Sequence, residues 1–240
     1  MTAHKTIVSF VGENENGILR QLSHDLMQTL KPYGFVGHVI DLTQSDWIQQ
    51  FDILLHKGVY MAWGHAGIGA RLEVNGKSLW DAIKVPFISL LADPPCAILQ
   101  NHKIQSRYVA NAYVFSEWLS FQKRFIGSNQ LSTLLKSVGT VPNPYRDKTV
   151  WRDRSRRMVL VKTGENPEKR RERWKNLPPR WRSILEDAAA AALKHRTGDI
   201  TDKIVAACDA YNFQTDCRRE FFFYLFQECD LYVRAVALIR

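Results

Sequence analysis

Val59-Tyr60-Met61-Ala62-Trp63-Gly64-His65-Ala66-Gly67-Ile68-Gly69 decides how this chain folds. An uninterrupted apolar run ends in a loop that carries three glycines. A short continuous run bounded by turn residues suits a strand buried on both faces. Phe87-Ile88-Ser89-Leu90-Leu91-Ala92 repeats the pattern and ends in Asp93-Pro94-Pro95. If both runs are parallel strands, His65 and Asp93 stand at their carboxyl ends. Open α/β sheets bind ligands in the crevice beyond those ends.

The flanking sequence supplies the rest of such a sheet. Thr6 to Val11 reads as a strand closed by Gly12. A polar turn then opens an amphipathic helix with Ile18, Leu19, Leu22, Leu26 and Leu30 on one face. Pro32 and Gly34 end that helix, and Phe35 to Leu42 is the second strand. Thr43 or Ser45 is the expected cap of a helix carrying Trp47, Phe51 and Leu54, which Gly58 stops. A short helix at Ser78 to Ile83, strands at Val85 to Ala92 and Ser106 to Phe115, and a helix capped by Ser116 complete the pattern. Alternating strands and helices with short connections predict an α/β fold. Its expected form is a Rossmann-like open parallel sheet with helices on both faces, spanning residues 1–127.

The remainder reads differently. Residues 128–157 form a connecting segment, in which Leu131 to Lys136 is a short helix or strand and Val141-Pro142-Asn143-Pro144 breaks the chain. Residues 158–240 form a basic, mostly helical region expected to pack on the first domain. It begins with a short strand, Met158 to Val161. Helices follow near Pro167 to Lys175, Arg180 to His195, Thr201 to Tyr211, and Asp216 to the end.

Composition narrows the class. The chain has 240 residues, 45% hydrophobic and 24% charged, as ordinary globular proteins do. No apolar run approaches the roughly 20 residues that span a bilayer. The start lacks a secretory h-region, so the cytoplasm is the expected compartment. Cys96, Cys208, Cys217 and Cys229 form no CxxC; no metal site is expected, and the thiols should be reduced and mostly buried. Of the formal charge of +9, the segment from Arg146 to Arg182 holds 14 Lys+Arg against 5 Asp+Glu.

Candidate chemistry sits at the strand ends. Gly12, Glu13 and Asn14 follow a strand and open a helix, where phosphate loops lie, although the two carboxylates of this loop would repel a pyrophosphate. The bland reading is a tight turn whose carboxylates favour a helix N-terminus. Gly64 and Gly67 flank His65 and permit close backbone approach. His65 can act as a general base or bind a phosphate or sugar; Asp93, held extended by Pro94, can orient it or accept sugar hydroxyls. Against these stand a surface-loop histidine and an Asx turn. His102, in the polar stretch after the fourth strand, is a further binding candidate. Lys162, Thr163 and Gly164 follow a strand and can form an anion nest. Arginines interleaved with Trp151, Trp174 and Trp181 suit nucleic acid or an acidic partner, or else a solvated helix face over core tryptophans.

Four segments together resemble a known family. They are Val11-Gly12-Glu13-Asn14, Trp63-Gly64-His65-Ala66-Gly67, Leu90-Leu91-Ala92-Asp93-Pro94-Pro95 and Tyr232-Val233-Arg234. They are similar to the front half of bacterial GT-B-type glycosyltransferases, the CgeB-like group, over about residues 6 to 126. The resemblance implies a domain that holds a sugar or glycan acceptor and supplies the base. A second Rossmann-like domain would bind a nucleotide sugar as donor substrate, with no further cofactor. No second Rossmann unit follows in this sequence, and the last helix stays apolar through Phe221, Phe222, Phe223, Leu225 and Phe226. The expectation is therefore a fragment whose donor site lies on a missing domain or a second subunit. The alternative is a non-enzymatic module that binds nucleic acid or an acidic partner through residues 146–182. A small hydrolase is a weaker third reading, because no GxSxG elbow occurs.

Overall fold

A computed structural model describes residues 5–13, 17–95, 98–127, 131–135, 166–194, 199–213 and 219–237. The chain divides into two compact units, Met1–Asp147 and Lys148–Arg240.

The first unit is an α/β domain. Its elements are β1 (Lys5–Val11), α1 (Ile18–Leu30), β2 (Phe35–Asp41), α2 (Trp47–Lys57) and β3 (Val59–His65). A hairpin, β4 (Glu73–Val74) and β5 (Lys77–Ser78), leads into α3 (Leu79–Ile83) and β6 (Phe87–Leu91). Then come α4 (Leu99–His102), β7 (Val109–Tyr113), α5 (Ser116–Phe121) and β8 (Leu131–Leu134). Six strands form one sheet in the order β2-β1-β3-β6-β7-β8, and every pairing is parallel. This is the Rossmann-like fold class expected.

From β1 the chain steps outward to β2, crosses back past β1 to β3, and continues in that direction. Right-handed crossovers then place α1 on one face and the later helices on the other. Two cores show this division. Ile7, Met27 and Trp63 pack with Leu26 and Leu30 on the α1 face. Val8, Phe10, Ile40, Phe51, Leu54, Ala62, Trp80, Phe87 and Val109 pack on the opposite face, with α2 and α3. Alternation along each strand sends neighbouring residues to opposite cores. Aromatic edges organise the second core: Phe10 lies 5.0 Å from Phe51 and 5.6 Å from Trp80 between ring centroids, and Trp80 lies 4.4 Å from Phe87. On the first face α1 comes so near β2 that a Cβ at Gly37 would meet Met27 Cγ at 2.5 Å.

Several local expectations change. Asp46, not Thr43 or Ser45, precedes α2, and its side chain makes no capping bond. Thr43 instead donates its backbone N–H and hydroxyl to Asp41 Oδ1, at 3.0 and 2.8 Å. Ser116 is the first residue of α5 rather than its cap, and a π-helical turn from Gln122 to Ile126 extends that helix. The β4–β5 hairpin has no periodic signature in the sequence, because its strands are two residues each. Leu131–Leu134 is an edge strand on β7, so the sheet continues beyond residue 127.

The second unit is helical over its described residues: α6 (Pro167–Trp174), α7 (Pro179–Lys194), α8 (Ile200–Ala210) and α9 (Arg219–Ala237). Asn166 caps α6 by accepting from the N–H groups of Glu168 and Lys169, and Asp199 caps α8 through Thr201 N–H. The core combines Trp174, Ile184, Leu185, Ile204, Phe222, Leu225 and Phe226 with small residues such as Ala188 and Ala189. Cys208 and Cys229 are buried free thiols in that core, and burial pushes both pKa values up. Cys96, Cys217 and the expected strand at Met158 to Val161 lie outside the described residues. Among the described residues no helix is long and apolar enough to cross a membrane.

Candidate functional site

The strand order reverses between β1 and β3. Carboxyl ends of strands at such a reversal border the ligand crevice of open α/β sheets. β1 delivers Gly12 and Glu13 there; β3 delivers His65 and its glycine loop. The two loops meet, since a Cβ on Gly12 would touch Ile68 Cγ2 at 3.5 Å.

The glycines of the β3 loop serve close packing. Ala66, Gly67 and Gly69 all have positive φ, so the loop doubles back on the sheet. A Cβ on Gly64 would lie 1.8 Å from the Ile68 carbonyl oxygen, and one on Gly69 would lie 2.9 Å from the Phe10 side chain. A Cβ on Gly67 would lie 2.8 Å from Asn101 Nδ2. The space expected for a ligand at these glycines is filled by the protein itself. Asn101 Nδ2 donates to the Ala66 carbonyl at 2.8 Å and fixes the loop to α4.

His65 follows Met61 and Trp63 in strand alternation, so its side chain belongs to the α1 face. It is half-buried, and its Nε2 is enclosed without a hydrogen-bond partner. Burial lowers its pKa below 6.5, so the imidazole is neutral at pH 7. Trp63 Nε1, two residues earlier on the same face, is also enclosed and unpartnered. Beside Trp63 in register stands Ser9, whose hydroxyl donates to Ser23 Oγ at 2.8 Å. Polar groups of α1, β1 and β3 thus share one buried face near the carboxyl edge.

Asp93 lies just beyond β6, on the strand next to β3, and is exposed. No hydrogen bond or ion pair joins it to His65 among the described residues. Of its two expected roles, orienting His65 has no bond to support it. Glu13 is exposed at the end of β1. Asn14 and the Lys162, Thr163, Gly164 nest lie outside the described residues. Asp41, at the end of β2, escaped the sequence reading; in dinucleotide folds an acidic residue after the phosphate loop holds a ribose. Here it accepts from Arg20 Nη2 at 2.5 Å. Burial alone would raise its pKa, but bonds from Arg20 and Thr43 hold the carboxyl at about 2.

His102, in the polar stretch after β6, is buried. It is 1% exposed, on α4, and its Nδ1 lies 2.7 Å from the Tyr113 hydroxyl. The rings stack with centroids 5.5 Å apart. Burial lowers the histidine pKa to about 4, so the neutral ring accepts from the tyrosine hydroxyl. His102 therefore anchors the helix whose Asn101 holds the His65 loop.

Among the described residues, four cations of the basic segment pair within their own unit. Arg170 Nη1 meets Glu228 Oε1 at 2.6 Å, Arg171 meets Glu186 at 2.7 Å, and Lys175 meets Glu172 at 2.7 Å. Arg180 donates to the Tyr211 carbonyl. Trp174 is a core residue whose Nε1 donates to Glu228, and Trp181 packs against Phe213 and Phe221. Trp174 therefore offers no free stacking platform, while Trp181 is half-buried; Trp151 and the arginines before residue 166 lie outside the described residues. Among the described residues no group of three His, Cys, Asp or Glu side chains is placed to hold a metal.

Comparison of the chain with protein-family models, curated proteins and solved structures finds no match.

Proposed function

We propose that the first unit is the acceptor-side half of a GT-B-like glycosyltransferase, working in the bacterial cytoplasm on a sugar or glycan acceptor. The nucleotide sugar would be held by a second domain or subunit. One observation carries the reading. A neutral imidazole with an unpartnered Nε2 stands at the end of β3, beside Gly12 and Glu13 at the sheet's reversal point. Once movement of the β3 loop uncovers that nitrogen, an acceptor hydroxyl would hydrogen-bond to it and give up its proton to the same atom, as the hydroxyl oxygen bonds to the anomeric carbon of the donor sugar and the nucleoside diphosphate departs. Asp93 and Glu13, both exposed carboxylates near the same edge, would accept the acceptor's other hydroxyls. Asp93 is assigned this role because it makes no bond to His65.

The test is transfer from a nucleotide sugar by this chain together with its donor-binding unit. His65→Ala should lower the rate by roughly 10²–10⁴-fold with little change in fold. Because burial moves the His65 pKa below 6.5, the acid limb of the rate profile should also lie below that value. A near-normal rate in His65→Ala removes the base. An acid limb above 6.5 assigns the titration to another group.

A further inference from the structure

A cavity lies on the α3 face, opposite the face of His65. It measures about 330 Å³, within the small-ligand range. One wall is the segment just after the glycine loop, with Arg71 and Glu73. Gln100, Lys103 and Gln105, on and after α4, form the other wall, and Ser78 lies before α3. Hydrogen bonds make both walls rigid. Asn101 Nδ2 ties α4 to the Ala66 carbonyl at 2.8 Å. Trp80 Nε1 donates to the Gly69 carbonyl at 3.0 Å, and Leu79 N–H to the Leu72 carbonyl at 2.8 Å. The cavity is therefore preformed rather than a gap between loose loops, and preformation lowers the cost of binding.

Its lining selects the ligand. Arg71 and Lys103 bring positive charge from opposite walls. Arg71 has no acidic partner among the described residues, although Glu73 lines the same cavity. Ser78 Oγ is enclosed without a hydrogen-bond partner. A guanidinium and an ammonium lining one cavity suit a multiply charged oxyanion, which a phosphate supplies better than a carboxylate. Glu73 only accepts hydrogen bonds, and the glutamine amides both donate and accept, so the remaining surface fits hydroxyl groups. We infer that this cavity binds a phosphorylated sugar, its phosphate between Arg71 and Lys103 and its hydroxyls against Glu73, Gln100 and Gln105. The inference stands independently of the reaction proposed for His65.

Calorimetric titration of the full chain in low salt tests it, with glucose 6-phosphate, glucuronate, inorganic phosphate and glucose as probes. Glucose 6-phosphate should bind saturably, at least about tenfold tighter than the other three, a margin of about 1.4 kcal/mol. Arg71→Gln and Lys103→Gln should each weaken it about tenfold or more without altering the melting temperature. Glu73→Gln should weaken glucose 6-phosphate but not inorganic phosphate. Equal affinity for phosphate and glucose 6-phosphate, or for glucuronate, overturns the assignment to a phosphorylated sugar. No binding, or unchanged affinity in Arg71→Gln, overturns the site. His65→Ala should leave this binding unchanged, so loss of transfer and loss of phosphosugar binding are separate results.

Discussion

The helical unit and the carboxyl edge of the sheet treat buried polar groups in opposite ways. In the helical unit the buried Arg170 and the partly buried Glu228 form an ion pair that Trp174 Nε1 joins, and Asp230 accepts twice from Arg234 Nε at 2.9 and 2.8 Å. At the sheet edge, Trp63 Nε1, His65 Nε2, Ser78 Oγ and Ser89 Oγ are enclosed without partners. An unsatisfied buried polar group costs about 1–3 kcal/mol, so it persists where packing or another role outweighs stability. The paired groups bind one helix to another. Two of the unpaired ones, His65 Nε2 and Ser78 Oγ, mark the sites that the proposals assign to ligands.

The largest expected effect breaks the paired side. Glu228→Ala removes the carboxylate that both Arg170 and Trp174 Nε1 contact and should cost about 3 kcal/mol in urea unfolding. A loss below about 1 kcal/mol would show that the pair contributes little. The next concerns the polar contact that is satisfied at the sheet edge. The His102 pKa is lowered from 6.5 to about 4, so the unfolded chain binds the proton more readily than the folded one. Stability should therefore rise with pH between about 4 and 6.5, by roughly 3 kcal/mol in all. His102→Asn should flatten that slope, and an unchanged slope would assign it to other groups.

Ser9 and Ser89 give the smallest and sharpest contrast, since both are 0% exposed and only Ser9 has a partner. Ser9→Ala should destabilise by about 1 kcal/mol and Ser89→Ala should be neutral or stabilising by a similar amount. Equal losses would show that the Ser89 hydroxyl is satisfied in solution.

Much of this architecture is legible in the sequence because burial has a period. The runs at Val59 and Phe87 alternate with helices of regular apolar spacing, and strand and helix order follow. The address of His65 and Asp93 at strand ends follows as well, because glycine and proline end strands for local steric reasons. His102 was legible only as a polar residue: its partner Tyr113 comes 11 positions later, on the next strand. Arg71 carried no signal, because its meaning depends on Lys103, 32 residues on, across a cavity.

By itself, then, the sequence determined the alternation of elements, the buried character of β3 and β6, and the helical nature of the second unit. Each follows from local backbone preference and apolar spacing. Tertiary structure alone decided that β3 lies beside β1, that His65 faces α1 with no bond to Asp93, and that Trp174 belongs to a core. It also decided that the glycine loop packs against Phe10 and Asn101 rather than standing open. These outcomes depend on which distant groups meet. Local spacing carries no record of that, because crossover direction and the competition for a shared core settle it only once the whole sheet has assembled.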